Sequence, residues 1–220
     1  MADLIEGLES GRIAAARATV EEDIRAACSK AGRQREEVEL LLAAKYVPIE
    51  DSGELLDAGF TLVGENRAQD LIAREEAYPG RFTFDFIGTL QSRKVKVIVP
   101  HVRLIHSVAT DSALDQLAKH GTDATKVLIE VNVSGEEGKA GVLPAELTDF
   151  IKRCPVEVVG LMTMPPLTAA PEQNRPLFAA LRELAQERDL IELSMGTTQD
   201  FSVAIEEGAT IIRVGSRLLR

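Results

Sequence analysis

The sequence contains no tryptophan, and aromatic residues make up only 4% of it. Stacking on aromatic rings, the usual grip on single-stranded nucleic acid, is therefore poorly supplied. Positive charge is in deficit too: 25 Lys and Arg stand against 35 Asp and Glu, a formal net charge of −10. Such a chain repels phosphate backbones and anionic lipid, so neither nucleic acid nor a membrane surface is expected as a partner. A small anionic ligand stays admissible, because a local nest of amides with one or two basic residues can hold it.

Cys28 and Cys154 are the only cysteines, which gives neither a disulfide framework nor a metal-ligand spacing. Cys28 follows Ile24 by one helical turn and reads as a packing residue. His101 and His120 have no companion at metal-ligand spacing, so no metal is expected. No apolar run approaches the length of a membrane span. Met1-Ala2-Asp3 opens without a basic and then apolar leader, which points to the cytoplasm. Linkers and composition breaks are missing as well, and 220 residues suit one domain spanning 1–220.

What is present is an alternation. Leu4, Leu8, Ile13, Ala16, Val20, Ile24 and Ala27 recur at helical spacing and predict a helix from Leu4 to Cys28. Residues 39–44, Glu-Leu-Leu-Leu-Ala-Ala, read as a strand buried on both faces. Further strands are predicted at 61–64, 84–88, 103–107, 126–133, 156–162, 190–195 and 210–214, with helix-like stretches between them. Eight strands in alternation with helices are the number that closes a (β/α)8 TIM-type barrel, here with an extra N-terminal helix. The open doubly wound sheet is the competitor, but Lys45-Tyr46-Val47-Pro48 stands where its Gly-rich fingerprint would follow strand one.

Barrel chemistry sits at the C-terminal ends of the strands. Lys45 ends the first apolar run, so it is expected to project from a buried strand into the barrel mouth. An amine in apolar surroundings sheds its proton more readily and attacks an aldehyde. A lysine that snorkels to solvent is the alternative. The loops after strands seven and eight read Ser194-Met195-Gly196-Thr197-Thr198 and Arg213-Val214-Gly215-Ser216. Small residues, hydroxyls and one arginine at these two loops suit a phosphate. Thr197 or Thr198 could instead be a plain helix cap. Asn66 faces the pocket or caps a helix, Glu65 complements a helix dipole, and His106 reads as an interior histidine. Glu136 and Lys139 read as a solvated turn.

Taken in order, several segments carry a resemblance. They are Leu42-Ala43-Ala44-Lys45 with Pro48, Gly64-Glu65-Asn66 with Gln69, and Phe86-Ile87-Gly88 with Leu90-Gln91 and Lys94. They continue with Ile105-His106-Ser107-Val108, Val131-Asn132-Val133-Ser134, Gly160-Leu161-Met162, Leu193-Ser194-Met195-Gly196 with Asp200, and Arg213 with Gly215. Together they resemble the pyridoxal phosphate homeostasis protein family, whose fold is similar to the barrel of alanine racemase. The resemblance implies a Schiff base between Lys45 and pyridoxal 5′-phosphate. It implies Ser194, Gly196, Thr198, Arg213, Gly215 and Ser216 around the phosphate and Asn66 near the ring. Thr197 belongs to the same cofactor loop, at a position where the family often has Met. Ala44 and Tyr46 flank the lysine where hydroxyl residues are usual, Asp85 stands for a usual His, Arg93 for a usual Asn, and Leu218-Leu219-Arg220 replaces the usual ending.

The function so implied is a carrier or buffer of pyridoxal phosphate that affects amino-acid and keto-acid pools indirectly, with apo-enzymes that need the cofactor as partners. A racemase-type enzyme is the alternative, and a Schiff-base aldolase a further one. Racemisation needs acid–base groups on both faces of the substrate carbon. Lys45 can serve one face. Tyr46 is expected to point away from it, and Tyr78 to lie at the opposite mouth.

Overall fold

The computed structural model describes residues 4–166, 168 and 170–220. Helix α1 (Ser10–Lys30) precedes eight strands: β1 (Glu39–Ala43), β2 (Leu62–Glu65), β3 (Thr83–Phe86), β4 (Leu104–Val108), β5 (Lys126–Glu130), β6 (Glu157–Met162), β7 (Glu192–Thr197) and β8 (Ile211–Val214). Between consecutive strands run α2 (Ser52–Asp57), α3 (Ala68–Ala77), α4 (Val95–Ile98), α5 (Asp111–His120), α6 (Leu147–Arg153), α7 (Arg175–Gln186) and α8 (Phe201–Glu206), and α9 (Ser216–Leu219) follows β8. The strands pair in parallel and in sequence order, and β1 closes on β8 with Glu39 opposite Ile211 and Leu42 opposite Val214.

Successive strand residues face opposite sides of the sheet, and burial on both faces explains the apolar runs. The outward residues, such as Val63, Phe84, Phe86, Ile105, Val127 and Ile212, join the helices in the main core. Leu41, Leu104, Leu128, Met162 and Ile211 face inward and form a separate cluster in the lumen. The same parity turns Asp85, His106, Glu130, Ser194 and Arg213 inward.

Most boundaries shift from expectation by one or two residues, and three of the differences have a physical reason. Helix α1 starts at Ser10 because Gly7 stands at φ +68° and interrupts the helical spacing of Leu4 and Leu8. Strand β5 stops at Glu130: Val131 still donates to Met162 O at 2.8 Å, but it bridges to Val142 as the chain leaves the sheet. Strand β1 stops at Ala43, one residue early, with a consequence for Lys45.

Glu65 is not a dipole-complementing surface group. It faces outward from β2, fully buried, and its Oε1 lies 2.7 Å from Arg74 Nε of α3. Arg74 also donates to Val47 O at 3.1 Å and contacts Ser52 Oγ. One buried arginine thus ties α3 to the segment that follows Lys45. Removing either member would strand a buried charge, at about 3–5 kcal/mol.

Candidate functional site

The C-terminal mouth is assembled from the ends of β1, β2, β7 and β8. After Ala43 the chain turns at once: Val47 N donates to Ala44 O at 2.9 Å, Ala44 and Val47 are buried, and Lys45 is thrown out between them. Lys45 is exposed, which corrects the expectation of a buried strand-end lysine. Its Nζ lies 4.5 Å from the centroid of the Tyr46 ring. Tyr46 therefore does not point away from Lys45, since strand alternation has already ended. The adjacent Lys45 amine holds the Tyr46 phenol below its ordinary pKa. Tyr78 is also displaced from expectation: its hydroxyl donates to Glu50 O at 3.0 Å and accepts from Gly53 N at 3.2 Å, in the segment after β1.

The loops after β7 and β8 meet beside this turn. Thr198 Oγ1 accepts from Gly215 N at 3.2 Å, which stitches the β7 loop to the β8 loop. A Cβ on Gly215 would come within 3.2 Å of Ala43 O, so glycine lets β8 end against the strand that leads into Lys45. Gly196 has φ +88°, and a Cβ there would sit 2.5 Å from Ala204 Cβ and 2.9 Å from Phe201 Cα. The left-handed backbone and the close approach of α8 both require glycine at that position. Thr197 donates N–H (2.7 Å) and Oγ1–H (3.1 Å) to Asp200 Oδ1, while Asn174 Nδ2 donates to Asp200 Oδ2 at 2.8 Å. Asp200 is the clamp of this loop. Ser216 opens α9, half-buried, directly after Gly215.

Arg213 lies deeper than the loops, 4% exposed. Its Nη1 donates to Ser194 O at 2.9 Å and also to Ser194 Oγ; its Nη2 donates to Thr163 O at 3.0 Å. No carboxylate lies within ion-pairing distance of it among the described residues. Burial pushes the guanidinium down to about 10, against the opposing influence of the more distant Glu130 and Asp200. Ser194 is fully buried, with its hydroxyl between His106 and Arg213, so it shapes the site by holding the arginine. Asn66, at the end of β2, is half-buried and its Oδ1 is buried without a partner. His106 is an interior histidine with both ring nitrogens bonded. Glu136 and Lys139 pair at 3.2 Å, away from these loops in sequence.

Glu130 escaped sequence reading. It is 9% exposed in the lumen, and burial pushes its carboxyl up while Arg213 opposes that shift. Its signal was parity, two residues beyond the inward Leu128. A cavity of about 780 Å³ opens at the other, N-terminal mouth, between Arg33, Glu39, Arg103, Lys126 and Ile191. Its cations are already paired, Arg33 with Glu37, Arg103 with Glu39 and Asp85, and Lys126 with Glu157. Barrel chemistry belongs to the opposite mouth. Among the described residues there is no three-ligand metal cluster and no helix long and apolar enough to cross a membrane.

A pyridoxal phosphate homeostasis protein of Aquifex aeolicus is 44% identical over 211 residues, covering 90% of this chain and 92% of its own. The chain belongs to the pyridoxal phosphate homeostasis protein family. A member from Pseudomonas aeruginosa is 35% identical over 205 residues, 89% of either chain. PipY of Synechococcus elongatus, a solved structure with PLP bound, matches with a TM-score of 0.78 at 30% identity, over 94% of this chain and 100% of its own. Alanine racemase of Corynebacterium glutamicum covers 98% of this chain with a TM-score of 0.67 at 16% identity, which is a likeness of fold alone. This chain spans 63% of that racemase and 62% of a lysine/ornithine decarboxylase of Vibrio vulnificus, against 92% of the Aquifex aeolicus family member. No family model matches the chain.

Proposed function

We propose that this chain, as one barrel domain spanning 1–220, binds pyridoxal 5′-phosphate covalently through Lys45 and acts in the cytoplasm as a carrier of the cofactor. The observation that carries the reading is Arg213: a buried cation without a carboxylate partner among the described residues, at the same mouth as the exposed amine of Lys45. Buried charges are ordinarily paired, so an anionic ligand completes this one. The orphaned Asn66 Oδ1 and the backbone approach at Gly215 support the same fit. When bound, the cofactor supplies an aldehyde that a primary amine captures reversibly.

The residues divide the work. Lys45 presents the amine, and its exposure leaves it open to exchange with free amines and with apo-enzymes, the partners a carrier needs. Gly196, Thr198 and Ser216 bring amides and hydroxyls to the phosphate, while Thr197 and Gly215, whose donors are held by Asp200 and Thr198, shape the two loops around it. Asn66 addresses the ring, and Ser194 keeps Arg213 turned toward the anion. A racemase needs acid–base groups on opposite faces of the substrate carbon. Lys45 and Tyr46 instead lie side by side on one turn, and His106 is sequestered in the lumen.

The test is α-proton exchange with L-amino acids in deuterated solvent, using protein loaded with pyridoxal phosphate. Exchange well below the ~1 s⁻¹ of ordinary enzymes is expected. Exchange at or above that rate, with loss of chirality, would establish the racemase reading instead.

A further inference from the structure

Asp85 of β3, His106 of β4, Ser194 of β7 and Arg213 of β8 form one hydrogen-bonded line across the lumen. His106 Nε2 lies 3.1 Å from Asp85 Oδ2, and His106 Nδ1 lies 2.9 Å from Ser194 Oγ. Ser194 Oγ in turn meets Arg213 Nη1. Asp85, His106 and Ser194 are 0% exposed. At the far end Asp85 accepts from Arg103 Nε at 3.0 Å and Nη2 at 2.7 Å, and Arg103 pairs with Glu39 at the N-terminal mouth.

The protons along this line have only one consistent arrangement. Asp85 is held ionised below its ordinary range: burial alone would raise it, but His106 and Arg103 outweigh burial. An ionised carboxylate only accepts, so His106 carries its proton on Nε2. Burial keeps the imidazole neutral, with Arg213 and Arg103 also disfavouring the cation and Asp85 alone favouring it. Nδ1 is therefore a lone pair, and Ser194 O–H donates to it. The Ser194 hydroxyl then presents lone pairs to Arg213 Nη1. In the other tautomer Nδ1–H would claim a lone pair of Ser194, and the hydroxyl proton would lose its acceptor and be free to turn.

We propose that Asp85, acting through His106 and Ser194, is a positioning residue that fixes the Arg213 guanidinium for an anionic ligand at the C-terminal mouth. This rests on the pyridoxal phosphate reading for the identity of the ligand. Of the oxygens that hold Arg213, the carbonyls of Thr163 and Ser194 are set by the backbone, and the Ser194 hydroxyl is the one that can rotate. The imidazole removes that freedom, and the carboxylate chooses the imidazole's tautomer. Second-tier contacts of this kind are how buried sites keep a charged group in its working geometry.

The chain has three histidines, so the tautomer of His106 is measurable by histidine 15N NMR. A neutral ring protonated on Nε2 is expected; an Nδ1–H ring or an imidazolium overturns the proposal. Asp85→Leu should move the proton to Nδ1 and weaken pyridoxal 5′-phosphate binding, read by absorbance titration, about tenfold, the loss of one well-placed hydrogen bond to a charged group. Asp85→Asn, whose amide oxygen can still accept from Nε2–H, should restore both the tautomer and most of the affinity. If Asp85→Leu folds and binds as tightly as wild type, the proposal fails and the cofactor reading stands. If Asp85→Leu does not fold, the wild-type tautomer and the Asp85→Asn affinity decide. Wild-type protein that takes up no pyridoxal phosphate at all would overturn the cofactor reading, and this proposal with it.

Discussion

Replacing Arg213 by Met separates the stability of the barrel from its affinity for the cofactor. Four hydrogen bonds disappear, to Ser194 O, Ser194 Oγ, Thr163 O and, more weakly, Met164 Sδ. Ser194 O keeps its bond from Thr163 N at 3.2 Å, and the Ser194 hydroxyl keeps His106. Only Thr163 O loses its sole strong donor, at about 1–3 kcal/mol. Against this, a buried cation without a counter-charge is removed, and its desolvation is worth several kcal/mol. The two effects nearly offset, so the unliganded variant should stay within about 2 kcal/mol of wild type. Cofactor binding has no such compensation. Loss of one charge-assisted contact costs about 1.5–3 kcal/mol, which is a Kd higher by about one to two orders of magnitude. At a concentration 100 times the wild-type Kd, ligand stabilises wild type by about 2.7 kcal/mol. The variant at that same concentration should gain only about 0.4–1.4 kcal/mol. Urea denaturation with and without pyridoxal phosphate, beside an absorbance titration, reads both quantities. An Arg213→Met protein that binds the cofactor as tightly as wild type refutes the assignment of Arg213 to the anion.

Gly196→Ala forces an L-residue into the left-handed region, roughly 1–2 kcal/mol, and packs a Cβ against Ala204 and Phe201, about 1–3 kcal/mol more. Its Tm should fall by at least about 5 °C, and an unchanged Tm would contradict the geometry of the β7 loop. Burial holds the folded His106 imidazole below its ordinary pKa, so the unfolded chain takes up this proton first as pH falls. That contribution to stability is complete above about pH 6.5 and is lost below it, with a slope of at most about 1.4 kcal/mol per pH unit. His106→Gln should flatten the decline between about pH 6.5 and 5 in urea unfolding, and equal slopes in the two proteins would count against the burial argument.

The barrel was legible because strands buried on both faces have to be apolar, and because their spacing left room for a helix in each gap. Gly196 and Gly215 were read from the sequence as places where the backbone approaches an anion; the close approach seen in the structure is to Ala204 and Phe201 and to Ala43. The place of Lys45 after the first strand was legible but its burial was misread, since an apolar run does not reveal whether its last residue still belongs to the strand. Here Ala44 is buried as part of a turn, and the next side chain faces solvent. The lumen network was missed altogether. Asp85, His106, Ser194 and Glu130 are separated by tens of residues and share only inward parity, which matters once the sheet has closed and its register is known. Asp85 stood out in the sequence merely as a departure from the family, although its partners explain it as the acceptor for His106 and Arg103.

The central claim is that Lys45 holds the cofactor. The most direct measurement is borohydride reduction of protein loaded with pyridoxal phosphate, followed by peptide mass mapping. A phosphopyridoxyl group on the peptide containing Lys45, lost together with the yellow colour in Lys45→Ala, is the expected result. Modification of Lys94 or Lys139 with Lys45 left free would contradict the account.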